Sequence, residues 1–148
     1  DSGFYQRLSL LPGAVEALEA IKAAGYRLGL VSNASGLDVS IVLEKHGLSR
    51  LFDTVVSRDD MRRLKPDPDG ILTALRELRE ADFVLVGDSI HDLEAARRAG
   101  GQAIIVHGSP WQPNAELVKG AGAHLARSLL EVPRIVKQLF PPKTGGKV

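Results

Sequence analysis

Short β-branched runs alternate with helical stretches along the chain, and no internal repeat is present. Pro12 stands where the first turn of a helix would begin. Val15, Leu18 and Ile21 then recur on one face, and Gly25 supplies the stop. Residues 26–31 read as a strand with an apolar, buried end. Leu37, Ile41 and Val42 predict a second helix closed by Gly47, and residues 52–56 a second strand. A polar stretch over residues 57–69 precedes a helix carrying Ile71, Leu72, Leu75 and Leu78, with Asp67 as its cap and Pro68 as its first residue. Residues 83–86 form the cleanest buried strand. A helix over about residues 92–99 follows and ends at Gly100-Gly101, before a further strand at residues 103–106. A looser region with Pro110 and Pro113 leads to a short helix at residues 115–119. Ser128 and Glu131 make a capping-box pattern for a last helix, which Pro133 interrupts. Strands joined through helices by short loops predict an α/β fold with a doubly wound parallel sheet and right-handed connections.

Composition narrows this only a little. With 148 residues, 44% hydrophobic and 25% charged, the chain has the size and make-up of one globular domain. Residues 1–140 are expected to form that core, and residues 141–148 (PPKTGGKV) a flexible basic tail. A net charge of +1 gives no field that would recruit nucleic acid or an anionic membrane. Absent cysteines exclude thiolate catalysis and cysteine-ligated metals. No apolar run approaches the roughly 18 residues of a membrane span, and the expected location is cytoplasmic.

Chemistry concentrates where strands run into polar residues, the edge at which open parallel sheets bind ligands. The first strand gives Ser32-Asn33, and the strand at 83–86 gives Gly87-Asp88-Ser89-Ile90-His91-Asp92. Between them Lys65 precedes Pro66-Asp67-Pro68. A hydroxyl, an ammonium and two carboxylates on one rim suit a metal-bound phosphoryl group, since magnesium favours carboxylate and water oxygens and uses few protein ligands. Each residue taken alone has a plainer reading: a strand-to-turn serine, a solvated loop lysine, an aspartate capping a helix. His46, His91, His107 and His124 are too dispersed in sequence to suggest a metal cluster, and Trp111 reads as a packing residue.

The ordered set Ser32-Asn33, Lys65-Pro66 and Gly87-Asp88-Ser89-x-x-Asp92 resembles the second, third and fourth motifs of the haloacid dehalogenase superfamily, in its phosphoglycolate phosphatase-like branch. The resemblance runs from Leu11-Pro12-Gly13 to Leu130. It implies that Ser32 and Asn33 bind the transferring phosphoryl group, that Lys65 stabilises the nucleophile and the phosphoryl charge, and that Asp88 ligates Mg²⁺. Asp92 would support the metal's waters or Lys65. Mg²⁺-dependent hydrolysis of a small phosphorylated metabolite is the implied reaction, and the acidic pair favours it over carbon–halogen cleavage.

The family's first motif, the Asp-x-Asp that carries the nucleophile, follows no apolar strand here. The only matching string is Asp67-Pro68-Asp69. Residues 1–11 resemble the linker from the family's cap to its core, so the chain is expected to begin after the nucleophile strand and the cap. Three accounts stay open: a fragment of a longer protein, a strand supplied by a partner, or a shortened relative without catalysis. The first predicts a phosphatase core that is inactive alone. The last predicts a phosphate- or metal-binding or protein-interaction domain on the same fold. A response-regulator receiver fits less well, because its acidic pair comes early and its lysine late. Without the central strand, the strands at 26–31 and 83–86 are expected to close the gap by direct pairing, through residues 7–11, or by strand exchange in a homodimer, the favoured route.

Overall fold

The computed structural model describes residues 13–108 and 112–141. Its helices are α1 (Ala14–Ala23), α2 (Gly36–Lys45), α3 (Asp69–Leu78), α4 (Ile90–Arg98), α5 (Ala115–Gly120) and α6 (Val132–Leu139). Its strands are β1 (Gly29–Val31), β2 (Thr54–Val56), β3 (Val84–Gly87), β4 (Gln102–Val106) and β5 (His124–Ala126). All ladders are parallel. β1 pairs with β2, while β3, β4 and β5 pair in that order. The α/β class and the parallel strands are therefore as the sequence predicts, but the strands form two sheets rather than one.

Hydrogen-bond parity shows how the two sheets present themselves. Ser32 donates to the Val56 carbonyl at 2.9 Å and the Leu28 carbonyl accepts from Thr54 at 3.4 Å, so the even-numbered residues of β1 face β2. Gly29 and Val31 therefore turn their backbone groups to the opposite edge. His107 donates to Ala126 at 2.8 Å, which turns even-numbered β4 residues to β3 and leaves Val84 and Val86 on the free edge of β3. Among the described residues these two edges are not paired with each other, so direct pairing, one of the three routes expected to close the gap, is not the one taken. Residues 7–11 lie outside the described residues, and strand exchange involves a second chain.

Packing joins what the ladders leave apart. Val15 and Leu18 of α1 pack with Leu28, Leu30 and the buried Val39, Val42 and Leu43 of α2. One turn on, Ile21 joins Ile104, Val106, Ala126, Ile135 and Val136 under β4, β5 and α6. One amphipathic helix thus serves both sheets from the same face. A third cluster, Leu93, Ala96, Ala103, Ile105 and Val118, sits under α4 and α5 on the other face of β4. Beside the start of β1, Lys22 pairs with Asp53 at 2.6 Å, and the same carboxylate accepts from Leu28 at 2.8 Å.

Several sequence expectations need correction. β5 was not expected; His124-Leu125-Ala126 is too short and too mixed for its pattern to stand out, and the burial of Ala126 against β4 makes it a strand. Pro133 does not interrupt α6 but lies in its first turn, where a missing N–H breaks no helical bond. Ser128 makes no side-chain cap; Glu131 instead accepts from Arg127 at 3.1 Å. Helix α3 starts at Asp69, one residue later than expected, with Asp67 accepting the Asp69 amide at 3.0 Å. Helix α4 starts at Ile90 rather than Asp92. Trp111 and residues 142–148, most of the expected tail, lie outside the described residues.

Ile104 is fully buried where α1, α6 and the central strand of the three-stranded sheet meet. Ile104→Ala is expected to lower the unfolding free energy by about 2–5 kcal/mol in urea titration. A loss below about 1 kcal/mol would mean that this cluster does not hold the sheet.

Candidate phosphoryl-binding rim

The rim is assembled by three loops. Ser32 continues β1 by donating its amide to Val56, and its fully buried hydroxyl accepts the Ala34 amide at 3.0 Å, which bends the chain towards α2. Ser35 then caps α2 by accepting from Asp38 at 3.2 Å. Asn33, at the tip of this bend, grips the main chain of Lys65. Its Oδ1 accepts the Lys65 amide at 3.0 Å and its Nδ2 donates to the Lys65 carbonyl at 3.4 Å.

The second loop carries Lys65. Its Nζ donates to the Val31 carbonyl at 3.3 Å, one of the groups on the free edge of β1, and to Asp92 Oδ1 at 2.9 Å. The two side chains are only 13% and 8% exposed, so this pair is largely withdrawn from water. Asp67-Pro68-Asp69 has a structural role. Asp67 accepts from Asp69, and Asp69 accepts the amides of Arg62 and Arg63 at 2.6 and 3.3 Å.

The third loop follows β3. Ser89 accepts the Asp92 amide at 3.4 Å while Asp92 Oδ2 accepts from the amides of Asp88 and Ser89 at 3.1 and 3.2 Å and from the Ser89 hydroxyl at 3.0 Å. This is a capping box at the head of α4, so Ser89 and Asp92, not Asp88, cap the helix. Gly87 is required by the same carboxylate, because a Cβ there would lie 2.4 Å from Asp92 Cγ. Asp88 is half-buried on the rim, with its amide held by Asp92. Burial pushes the Asp92 carboxyl up, but the Lys65 ammonium and the surrounding donors outweigh it and hold the group below the usual carboxylate range.

Five residues singled out from the sequence are thus placed on these loops: Ser32, Asn33, Lys65, Asp88 and Asp92. The sequence reading missed the supporting roles of Gly87, Ser89 and Asp69. The Ser-x-x-Asp spacing of Ser89 and Asp92 is the signal that marks the capping box of α4. Among the described residues no three of His, Asp and Glu converge as a metal-binding group. Both Asp92 oxygens are engaged by protein donors, so a cation arriving here would take Asp88 as its direct carboxylate. Hard oxygen donors in small number fit magnesium, which keeps several waters and shares phosphate oxygens.

Residues 2–106 match the family model described as haloacid dehalogenase-like hydrolase. The chain is 40% identical over 97 residues to phosphoglycolate phosphatase of Nitrosospira multiformis, covering 64% of this chain and 43% of that protein. It is 35% identical over 130 residues to the plasmid phosphoglycolate phosphatase of Cupriavidus necator, covering 86% and 56%. It is 39% identical over 87 residues to pyrophosphatase PpaX of Bacillus velezensis, covering 57% and 40%. The chain therefore spans about half the length of the curated relatives it matches. Among solved structures, CbbY of Rhodobacter sphaeroides in complex with phosphate superposes with a TM-score of 0.70 at 30% identity, covering 82% of this chain and 55% of that one. A hydrolase from Pseudomonas syringae gives 0.73 at 27% identity, covering 93% and 66%.

Asp92→Asn removes the charge that faces Lys65 while keeping the side chain's shape. Loss of one member of a nearly buried pair is expected to cost about 3 kcal/mol at neutral pH. Because the folded carboxyl titrates below its unfolded value of about 4, the stability it contributes is complete above that pH and is lost as pH falls further. In urea titrations across this range the native chain should lose stability on acidification more steeply than Asp92→Asn, so that the two converge. Parallel pH profiles would contradict the assignment.

Proposed function

The chain belongs to the haloacid dehalogenase-like hydrolase family, and on that premise we propose that it forms the phosphoryl-binding rim of a cytoplasmic, Mg²⁺-dependent phosphomonoester hydrolase acting on a small phosphorylated metabolite. The observation that carries this reading is the fixed position of the Lys65 ammonium, on the Val31 carbonyl and on Asp92 at the carboxyl edge of the strands. The names of the relatives, phosphoglycolate phosphatase and pyrophosphatase, support a small phosphorylated substrate.

In this reading Lys65 offsets the charge of the phosphoryl oxygens without having to move, because Asn33 fixes its main chain and Asp92 its side chain. The Ser32 hydroxyl keeps its proton, since its contact with Ala34 uses it only as an acceptor, but it is fully buried and would meet an equatorial oxygen only if the rim opens around it. Asp88 would hold magnesium, which when bound supplies further positive charge to the phosphoryl oxygens. Asp92 acts through Lys65 and is a positioning residue. The carboxylates of the only Asp-x-Asp, Asp67 and Asp69, are tied to backbone amides of the Lys65 loop, so neither of them serves as a nucleophile in this reading. No helix among the described residues is long and apolar enough to cross a membrane.

Titration calorimetry with inorganic phosphate and with Mg²⁺ tests the assignment. Phosphate should bind the chain weakly and lose about tenfold or more in affinity in Lys65→Ala, the size of one charge-assisted contact. Mg²⁺ binding should disappear in Asp88→Asn. Isotherms identical to those of the native chain would contradict both roles. The 148 residues alone should not turn over p-nitrophenyl phosphate or phosphoglycolate. Steady turnover abolished by Lys65→Ala would reveal a nucleophile within them.

A further inference from the structure

We propose that the groove between α1 and α6 is a self-association surface, and that its occupant is a second copy of this chain seated across a two-fold axis. None of the rim residues lines this groove, so self-association stands apart from phosphoryl binding.

The two helices meet through Ile21, Val132, Ile135 and Val136, which are buried between them and the sheet. Outside that contact the surface opens into a groove of about 640 Å³. Glu16, Ala17 and Ala20 of α1 form one wall, and Arg134 and Lys137 of α6 stand on the other. Residues three or four apart share a helix face, so each wall presents its groups in one direction. Alanines at 17 and 20 leave a hollow on the α1 side. Leu130, from the 3₁₀ turn Leu129–Glu131 just before α6, stands at the groove and is 61% exposed. Its side chain is nonetheless seated: it lies so close to Gly13 that a Cβ there would fall 2.6 Å from Leu130 Cδ2. An apolar side chain already held in place enters a partner at little cost in ordering.

The charges on the walls are not used within the chain. Elsewhere on α1, Glu19 pairs with Arg50 at 3.2 Å and Lys22 with Asp53 at 2.6 Å. Among the described residues Glu16 and Lys137 make no ion pair, and Arg134 approaches Glu131 only to 3.9 Å. A partner of one charge sign would be drawn to one wall and repelled by the other. A second copy satisfies both, because a two-fold axis makes every contact twice. Leu130 of each copy then enters the Ala17–Ala20 hollow of the other, and Glu16 of each faces Arg134 and Lys137 of the other.

Sedimentation equilibrium of the full chain tests this. The native chain should dimerise reversibly, and Leu130→Glu should weaken the dimer by about tenfold or more. Glu16→Lys alone, and the double variant Arg134→Glu/Lys137→Glu alone, each place like charges across the axis and should be monomeric where the native chain is dimeric. Mixed in equal amounts, these two variants regain both opposite-charge contacts and should form a heterodimer. All four positions are exposed, so circular dichroism should show every variant folded like the native chain. A native chain that stays monomeric up to its solubility limit would overturn the proposal. So would a dimer indifferent to Leu130→Glu, the outcome expected of strand exchange, or charge variants that stay apart on mixing.

Discussion

The arrangement of the rim depends on one ion pair. Lys65 and Asp92 meet at 2.9 Å with little water around them, and each is held by further contacts that would be lost with it. The ammonium also touches the Val31 carbonyl on the free edge of β1, while the carboxylate organises the first turn of α4 immediately after β3. One charge pair therefore connects the ends of two strands that share no ladder. Desolvating both charges is unfavourable, and the pair persists because both ions keep additional hydrogen-bond partners.

Tolerances around the pair are narrow. Gly87 leaves no room for a Cβ beside the Asp92 carboxyl, and Gly70 approaches Val31 so closely that a Cβ would fall 2.7 Å from its Cγ1. Helix α3 thus packs against the strand whose carbonyl receives Lys65. On the opposite face α1 links the two core clusters through Leu18 and Ile21. Position at the rim is set by packing below and by the ion pair above. A prepositioned positive charge of this kind stabilises charge in a bound group without reorganising.

Much of this was legible in the sequence, for identifiable reasons. Strands β1 to β4 and the helices between them declare themselves through apolar periodicity and glycine stops. The site residues stand out because polar side chains directly follow apolar strands. What stayed hidden depends on contacts between distant residues. The grip of Asn33 on Lys65 joins positions 32 residues apart. β5 owes its form to pairing with β4 rather than to its own three residues. Pro133 looked like a breaker because the preceding Ser128–Glu131 pattern placed the helix start too early. The break between the two sheets lies where the sequence lacks the strand that would carry Asp-x-Asp, but whether the edges of β1 and β3 pair with each other follows from no local pattern.

The central claim is that Asp92 serves phosphoryl binding by holding Lys65, not by a contact of its own. The most direct measurement is inorganic phosphate affinity across a double-mutant cycle of Asp92→Asn, Lys65→Ala and the pair together. The account predicts that Asp92→Asn weakens binding in the native background but adds nothing once Lys65 is alanine. Independent, additive losses, or full phosphate affinity in Asp92→Asn alone, would contradict it.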